Sequence, residues 1–159
     1  MSARPILLLF KFRAIILILL AIGALNTGSL QAVEPDWSTY NAILRQNVRP
    51  GQISGIPLNR VNYAGIKANP GWSNVVAMIA AFPVSKLSNR SEKLAFYINA
   101  YNILTIDLII KGGIPASIRN LGESVWKQNN VRLDGRLTSL DAIEHQLLRP
   151  LGEPRIHFA

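Results

Sequence analysis

The sequence predicts an α+β fold: a helix-rich single domain with a buried central helix and a small antiparallel sheet. Three stretches carry this prediction. Residues 91–111 (SEKLAFYINAYNILTIDLIIK) are long and almost wholly apolar, and Gly112-Gly113 closes them; a helix apolar all round forms the centre of a domain. Asp134-Gly135 lies between Val131-Arg132-Leu133 and Arg136-Leu137, a two-residue hairpin signal. Residues 138–159 (TSLDAIEHQLLRPLGEPRIHFA) read as a capped helix, a loop and a strand-like run.

The elements follow in order. Asp36 can cap a helix whose Trp37, Tyr40, Ile43, Leu44 and Val48 share one face, with Pro50-Gly51 ending it. Residues 51–57 read as loop, Val61-Asn62-Tyr63 as a short strand, and the chain then makes a helical turn to Lys67. Asn69-Pro70-Gly71 is a break. Trp72, Val75, Val76 and Ile79 predict a short helix ending at Pro83. In the central helix, Glu92 suits the positive end, and Lys111 with glycine suits the other. Its length invites a membrane-span reading, but Glu92, Lys93, Asn99, Asn102 and Asp107 divide it. Residues 114–121 predict another short helix. Thr138 with Asp141 three residues on resembles a capping box for a helix running to about Leu148, before Pro150. Residues 152–154 are loop and 155–159 the start of a strand.

The N-terminal residues 1–32 read as a signal peptide or a retained anchor. Arg4, Lys11 and Arg13 precede the apolar run 14–25, and Ser29-Leu30-Gln31-Ala32 supplies a cleavage region, with cleavage expected after Ala32. The apolar run is short for a membrane span, which needs about 20 residues. The expected address is therefore exported, periplasmic or envelope-associated, with membrane contact only through an uncleaved N-terminal segment. Residues 33–159 then form the domain. Without Arg4, Lys11 and Arg13, 14 of the 17 Lys and Arg remain against 9 Asp and Glu, a net +5. These cations are scattered singly, which argues against a nucleic-acid partner. There is no cysteine, so there is neither a disulfide nor a thiol nucleophile, and the two histidines are too few for a self-contained zinc site. No metal and no cofactor is expected; the partner class left open is a small-molecule or peptide ligand.

The residues that could carry chemistry are few. With Leu140 at zero and about 100° per residue, Ile143, Leu147 and Leu148 fall at about 300°, 340° and 80°, and Glu144 at about 40° lies inside that arc. His145 at about 140° and Arg149 at about 180° lie outside it. Glu144 therefore points towards the core or a cleft wall, where a carboxylate is either a site residue or is held by a nearby Arg or backbone amide. His157 in the closing strand could pair with Glu144 as base and orienter, or be a half-exposed strand residue. Asn99 and Asn102, one turn apart, either support a site or form a buried structural network. There is no G-x-S-x-G and no phosphate loop.

The order of Val61-Asn62-Tyr63-Ala64, LAFYINAYNILTIDLII (94–110), Ser117-Ile118-Arg119, SLDAIEHQLLRP (139–150) and PRIHFA (154–159) resembles the domain-of-unknown-function 547 family over residues 37–159. That resemblance implies an exported or envelope-associated bacterial protein with a fold similar to papain-like or transglutaminase-like thiol enzymes. It implies that Glu144 and His157 line a site supported by Asn99 and Asn102, with His145 and Arg149 as further binding candidates. In the family the RIHFA-like strand continues into a Leu-Val-Cys-like stretch with a further Cys-Pro. No such cysteine is present here, so the expectation is a C-terminally truncated member with an incomplete or vestigial thiol-hydrolase-like site. The rival expectations are a non-catalytic envelope binding or scaffold domain, and a hydrolase that activates water with Glu144 and His157.

Overall fold

A 22-residue helix, α4 (Arg90–Lys111), organises the structure. The computed structural model describes residues 34–53 and 55–153. The expected signal or anchor segment 1–32, the expected strand 155–159 and His157 lie outside the described residues. Around α4 stand α1 (Ser38–Asn47), α2 (Tyr63–Ala68), α3 (Trp72–Ala81), the short α5 (Ser124–Lys127) and α6 (Leu140–Ala142). Two antiparallel pairs complete the α+β fold, β1 (Val48–Ile53) with β2 (Ile56–Val61) and β3 (Val131–Leu133) with β4 (Arg136–Thr138).

The sequence starts α4 through reciprocal capping. The Asn89 side chain accepts the Glu92 N–H at 3.0 Å, and the Glu92 carboxylate accepts the Ser88 N–H at 2.7 Å and the Asn89 amide at 2.7 Å. This satisfies helix donors that otherwise have no partner and places a negative charge at the positive helix end. The Ser88 and Asn89 donors hold the Glu92 carboxyl below its usual range. From Ile103 to Ile110 every residue of α4 is buried. α2, α3 and the segment after α6 cover it, so α4, although long and apolar enough to cross a membrane, is the core of the fold. Its one buried acid, Asp107, accepts the Trp72 indole N–H at 3.1 Å and pairs with Lys111 at 2.7 Å. Trp37, Phe82, Phe96 and Tyr97 stack around the start of α4, with the Phe82 and Phe96 rings 5.1 Å apart.

The β3–β4 hairpin follows its turn chemistry. Asp134 and Gly135 both take positive φ, 52° and 74°, as a type I′ turn requires. The turn is tied to the body: Gly135 N–H donates to the Ala80 carbonyl at 2.7 Å and Val84 N–H to the Asp134 carboxylate at 3.2 Å.

Several boundaries differ from the sequence expectation. Val48 begins β1 and does not continue α1, and residues 51–57 are mostly strand, not loop. Pro50, Gly51 and Pro57 sit within these strands; a two-stranded pair has only edges, where proline is tolerated. Asn62 N–H donates to the Asn47 carbonyl at 2.8 Å and closes the hairpin base. A Cβ on Gly65 would come within 2.1 Å of the Asn47 side-chain oxygen, so a larger residue there would displace the Asn47 and Asn62 side chains. Residues 114–121 yield only a single 3₁₀ turn, Ile118–Leu121. Thr138 is consumed by pairing with Val131, so Ser139 caps α6, its hydroxyl accepting the Ala142 N–H at 3.0 Å.

Ile109 is fully buried in α4. Ile109→Ala is expected to lower unfolding free energy by about 2–5 kcal/mol, the usual cost of a large-to-small change in a core that cannot collapse. Urea unfolding followed by helical circular dichroism checks it.

Candidate functional site

The helix that begins at α6 does not continue as α. Residues Ile143–Leu148 form a π turn, and Arg149–Leu151 a 3₁₀ turn. Pro150 has no N–H, and its ring clashes with the carbonyl four residues back, so the last α turn cannot close. The backbone widens instead, and the Arg149 N–H donates to the Glu144 carbonyl, five residues back. Such π turns occur often at functional sites.

The widening decides which side chains meet. On an α-helix Glu144 and Arg149 would stand about 140° apart. Across the i→i+5 turn they come together: Arg149 Nη2 donates to Glu144 Oε1 at 2.6 Å and Nε to the same oxygen at 3.2 Å. The α-helical period alone does not bring the two together; the contact is the one to a nearby Arg that the sequence leaves open for this carboxylate. The pair is only partly buried, with side chains 37% and 26% exposed. Glu144 is half-buried and His145 exposed.

Other groups gather on the same patch. The His145 ring has Nδ1 3.8 Å from Glu144 and Nε2 3.8 Å from Asp141. These contacts fall on opposite sides of the imidazole, so the two carboxylates do not converge on one point. Among the described residues no group of three such side chains is placed to hold a metal ion. From α4, Tyr101 approaches the cluster. Burial pushes its hydroxyl up to about 12, and the nearby Glu144 and Asp141 carboxylates add to the shift. The phenol therefore keeps its proton throughout the neutral range.

Asn99 belongs elsewhere. It lines a hollow of about 30 Å³ with Trp37, Leu87, Glu92 and Phe96, far below the roughly 300–1,000 Å³ of ligand pockets. Tyr101 lies about 200° round α4 from it. Asn102 is half-buried and makes no side-chain hydrogen bond among the described residues. Tyr101 was missed by sequence reasoning, although it stands between the two asparagines in the INAYN segment. Asp141 was read only as a capping residue.

The arrangement defines an α+β domain with a carboxylate–guanidinium–phenol cluster on a π turn beside its core helix. Residues 84–159 match the model of the family described as Protein of unknown function, DUF547, which supports the resemblance seen in the sequence. The match begins at residue 84, whereas the sequence resemblance extends back to 37. No curated protein and no solved structure matches the chain, so likeness to papain-like or transglutaminase-like enzymes rests on the resemblance alone.

Two outcomes follow. In a double-mutant cycle, Glu144→Ala and Arg149→Ala are expected to couple by about 1 kcal/mol, the scale of a charge-assisted contact at partial exposure; denaturant melts of the four proteins measure it. The second concerns alkali. All four tyrosines, Tyr40, Tyr63, Tyr97 and Tyr101, have hydroxyls raised by burial. Above about pH 10 the unfolded chain releases phenol protons that the folded chain keeps, so stability falls as pH rises, while below that pH this contribution is constant. Phenolate absorbance is expected to appear late and together with loss of helical circular dichroism.

Proposed function

We propose that this chain is an exported envelope protein whose family domain keeps the acidic, orienting part of a hydrolase-like site and uses it to bind a small-molecule or peptide ligand without turning it over. The observation that carries this reading is the commitment of Glu144. Its Oε1 takes two donors from Arg149, and the Tyr101 phenol lies near the same carboxylate. These donors occupy the Oε1 that a general base would use to take a proton. No side chain in the cluster is a nucleophile of the thiol or activated-hydroxyl type, and the chain has no cysteine. What remains is a rigid face with a fixed carboxylate, a half-exposed guanidinium and an exposed imidazole, groups suited to hydrogen-bonding a polar ligand. Export is supported by Arg4, Lys11 and Arg13 ahead of the apolar run 14–25 and the small residues that follow it.

Chromogenic ester and peptide substrates test the reading. The expected result is background hydrolysis by the purified chain, unchanged in Glu144→Gln. Turnover above background that disappears in Glu144→Gln would instead support water activation by Glu144 with His157.

A further inference from the structure

Charge is distributed unevenly along the chain. Between Asp36 and Glu92 there is no acidic residue, while Arg45, Arg49, Arg60, Lys67, Lys86 and Arg90 all fall there. Residues 92–153 balance seven cations against seven acids. Among the described residues, no carboxylate pairs with any of the six cations. Where they are held, backbone carbonyls hold them: Arg49 Nη1 donates to the Arg45 carbonyl and, at 2.9 Å, to that of Val48, and Arg90 donates to the Leu151 carbonyl at 2.6 Å. A carbonyl orients a guanidinium without cancelling its charge.

The β1–β2 hairpin projects from this cationic part. Eight of its twelve strand residues are exposed. Residues directly opposite in an antiparallel pair share a face. The register Arg49↔Arg60, Gly51↔Leu58, Ile53↔Ile56 therefore places two arginines at the base and three aliphatic side chains towards the tip of one face. Ile56 is 59% exposed and Ile53 36%. The Arg60 stem lies across Gly51, where an added Cβ would meet its Cδ at 2.7 Å, so the side chain leans from the base towards the tip.

We propose that this face is a membrane-surface contact: Ile53 and Ile56 enter the headgroup–acyl boundary of an anionic bilayer while Arg60 and its neighbouring cations meet lipid phosphates. Charge complementarity selects the bilayer over a second copy of the chain, which would bring two acid-free cationic parts together. Pro50 and Pro57 also leave each strand short of a donor for an added strand. The apolar tip selects lipid over nucleic acid, since residues 41–62 contain no aromatic side chain to stack a base. The contact is separate from the Glu144 cluster and goes beyond the binding reading given above.

The full chain tests this directly. It has no cysteine, so Ile56→Cys carries a single environment-sensitive fluorophore at the tip. With vesicles containing phosphatidylglycerol the label is expected to brighten and shift to the blue, and with phosphatidylcholine alone to stay in water. The same label at Leu137→Cys, 57% exposed on the other hairpin, is expected to stay in water with both, which separates tip insertion from attachment through residues 14–25. At about fivefold in partitioning per cation near an anionic surface, Arg60→Gln lowers the tip-inserted ratio roughly fivefold and Arg60→Glu roughly twenty-five-fold, while Arg60→Lys retains it. Helical circular dichroism confirms that the variants fold, and Glu144→Gln leaves the signal unchanged. Equal response of the tip label to both vesicles, parallel shifts at positions 56 and 137, or a stronger response to a single-stranded oligonucleotide than to anionic vesicles overturns the proposal.

Discussion

Helix α4 must be covered on every side, and most of the remaining fold is the means of covering it. Between Ile103 and Ile110 it exposes no residue to water, so neighbours have to approach from several directions. α2 and α3 do so from the N-terminal part, and the π turn does so from the C-terminal part. The one acid in that stretch, Asp107, is tolerable because Trp72 and Lys111 supply its donors; a buried carboxylate without such partners costs several kcal/mol. The Trp72 contact also fixes where α3 crosses α4. The end of α3 then receives the β3–β4 turn through Ala80. Burial of one helix thus sets the position of the elements on either side of it, including the π turn that carries Glu144.

What the sequence reveals depends on whether the deciding signal is local. Residues 91–111 announce a core helix by composition, and Asp134-Gly135 announces its turn because positive φ at both positions favours those residue types. The β1–β2 hairpin hides because Pro50, Gly51 and Pro57 are loop residues by local rule, and only the absence of a third strand makes them acceptable. At the site, the 100° period placed Glu144 inward and His145 outward, in agreement with their exposure. The same period does not bring Arg149 to Glu144, because Pro150 forces a wider turn in which the Arg149 N–H reaches back five residues to the Glu144 carbonyl. Tyr101 depends on long-range packing that periodicity cannot express: α4 is apolar on all faces, so no face identifies the neighbour.

The division of charge follows from how acids and bases are used. In the charge-balanced part, Glu92, Asp107, Asp134 and Glu144 each accept hydrogen bonds that begin a helix, hold a crossing, tie down a turn or lock the π segment. These acids are spent on folding, and two of them, Asp107 and Glu144, also neutralise a cation in doing so. Between Asp36 and Glu92 that structural work falls to neutral groups: the Asn62 side chain caps α2, that of Asn69 accepts the Gly71 N–H, and Asn47 donates to the Ile43 carbonyl. Asparagine performs the capping chemistry of aspartate without its charge. The cations of this part therefore keep charges that no carboxylate among the described residues pairs with, and surplus charge of one sign attracts partners of the opposite sign. A hairpin that carries Arg49 and Arg60 at its base and aliphatic side chains towards its tip has an apolar tip exposed to water where nothing in the described structure covers it. The combination is costly for a surface that meets only solvent and favourable for one that meets an interface both anionic and apolar within a few ångströms of depth, which is the physical definition of an anionic lipid surface.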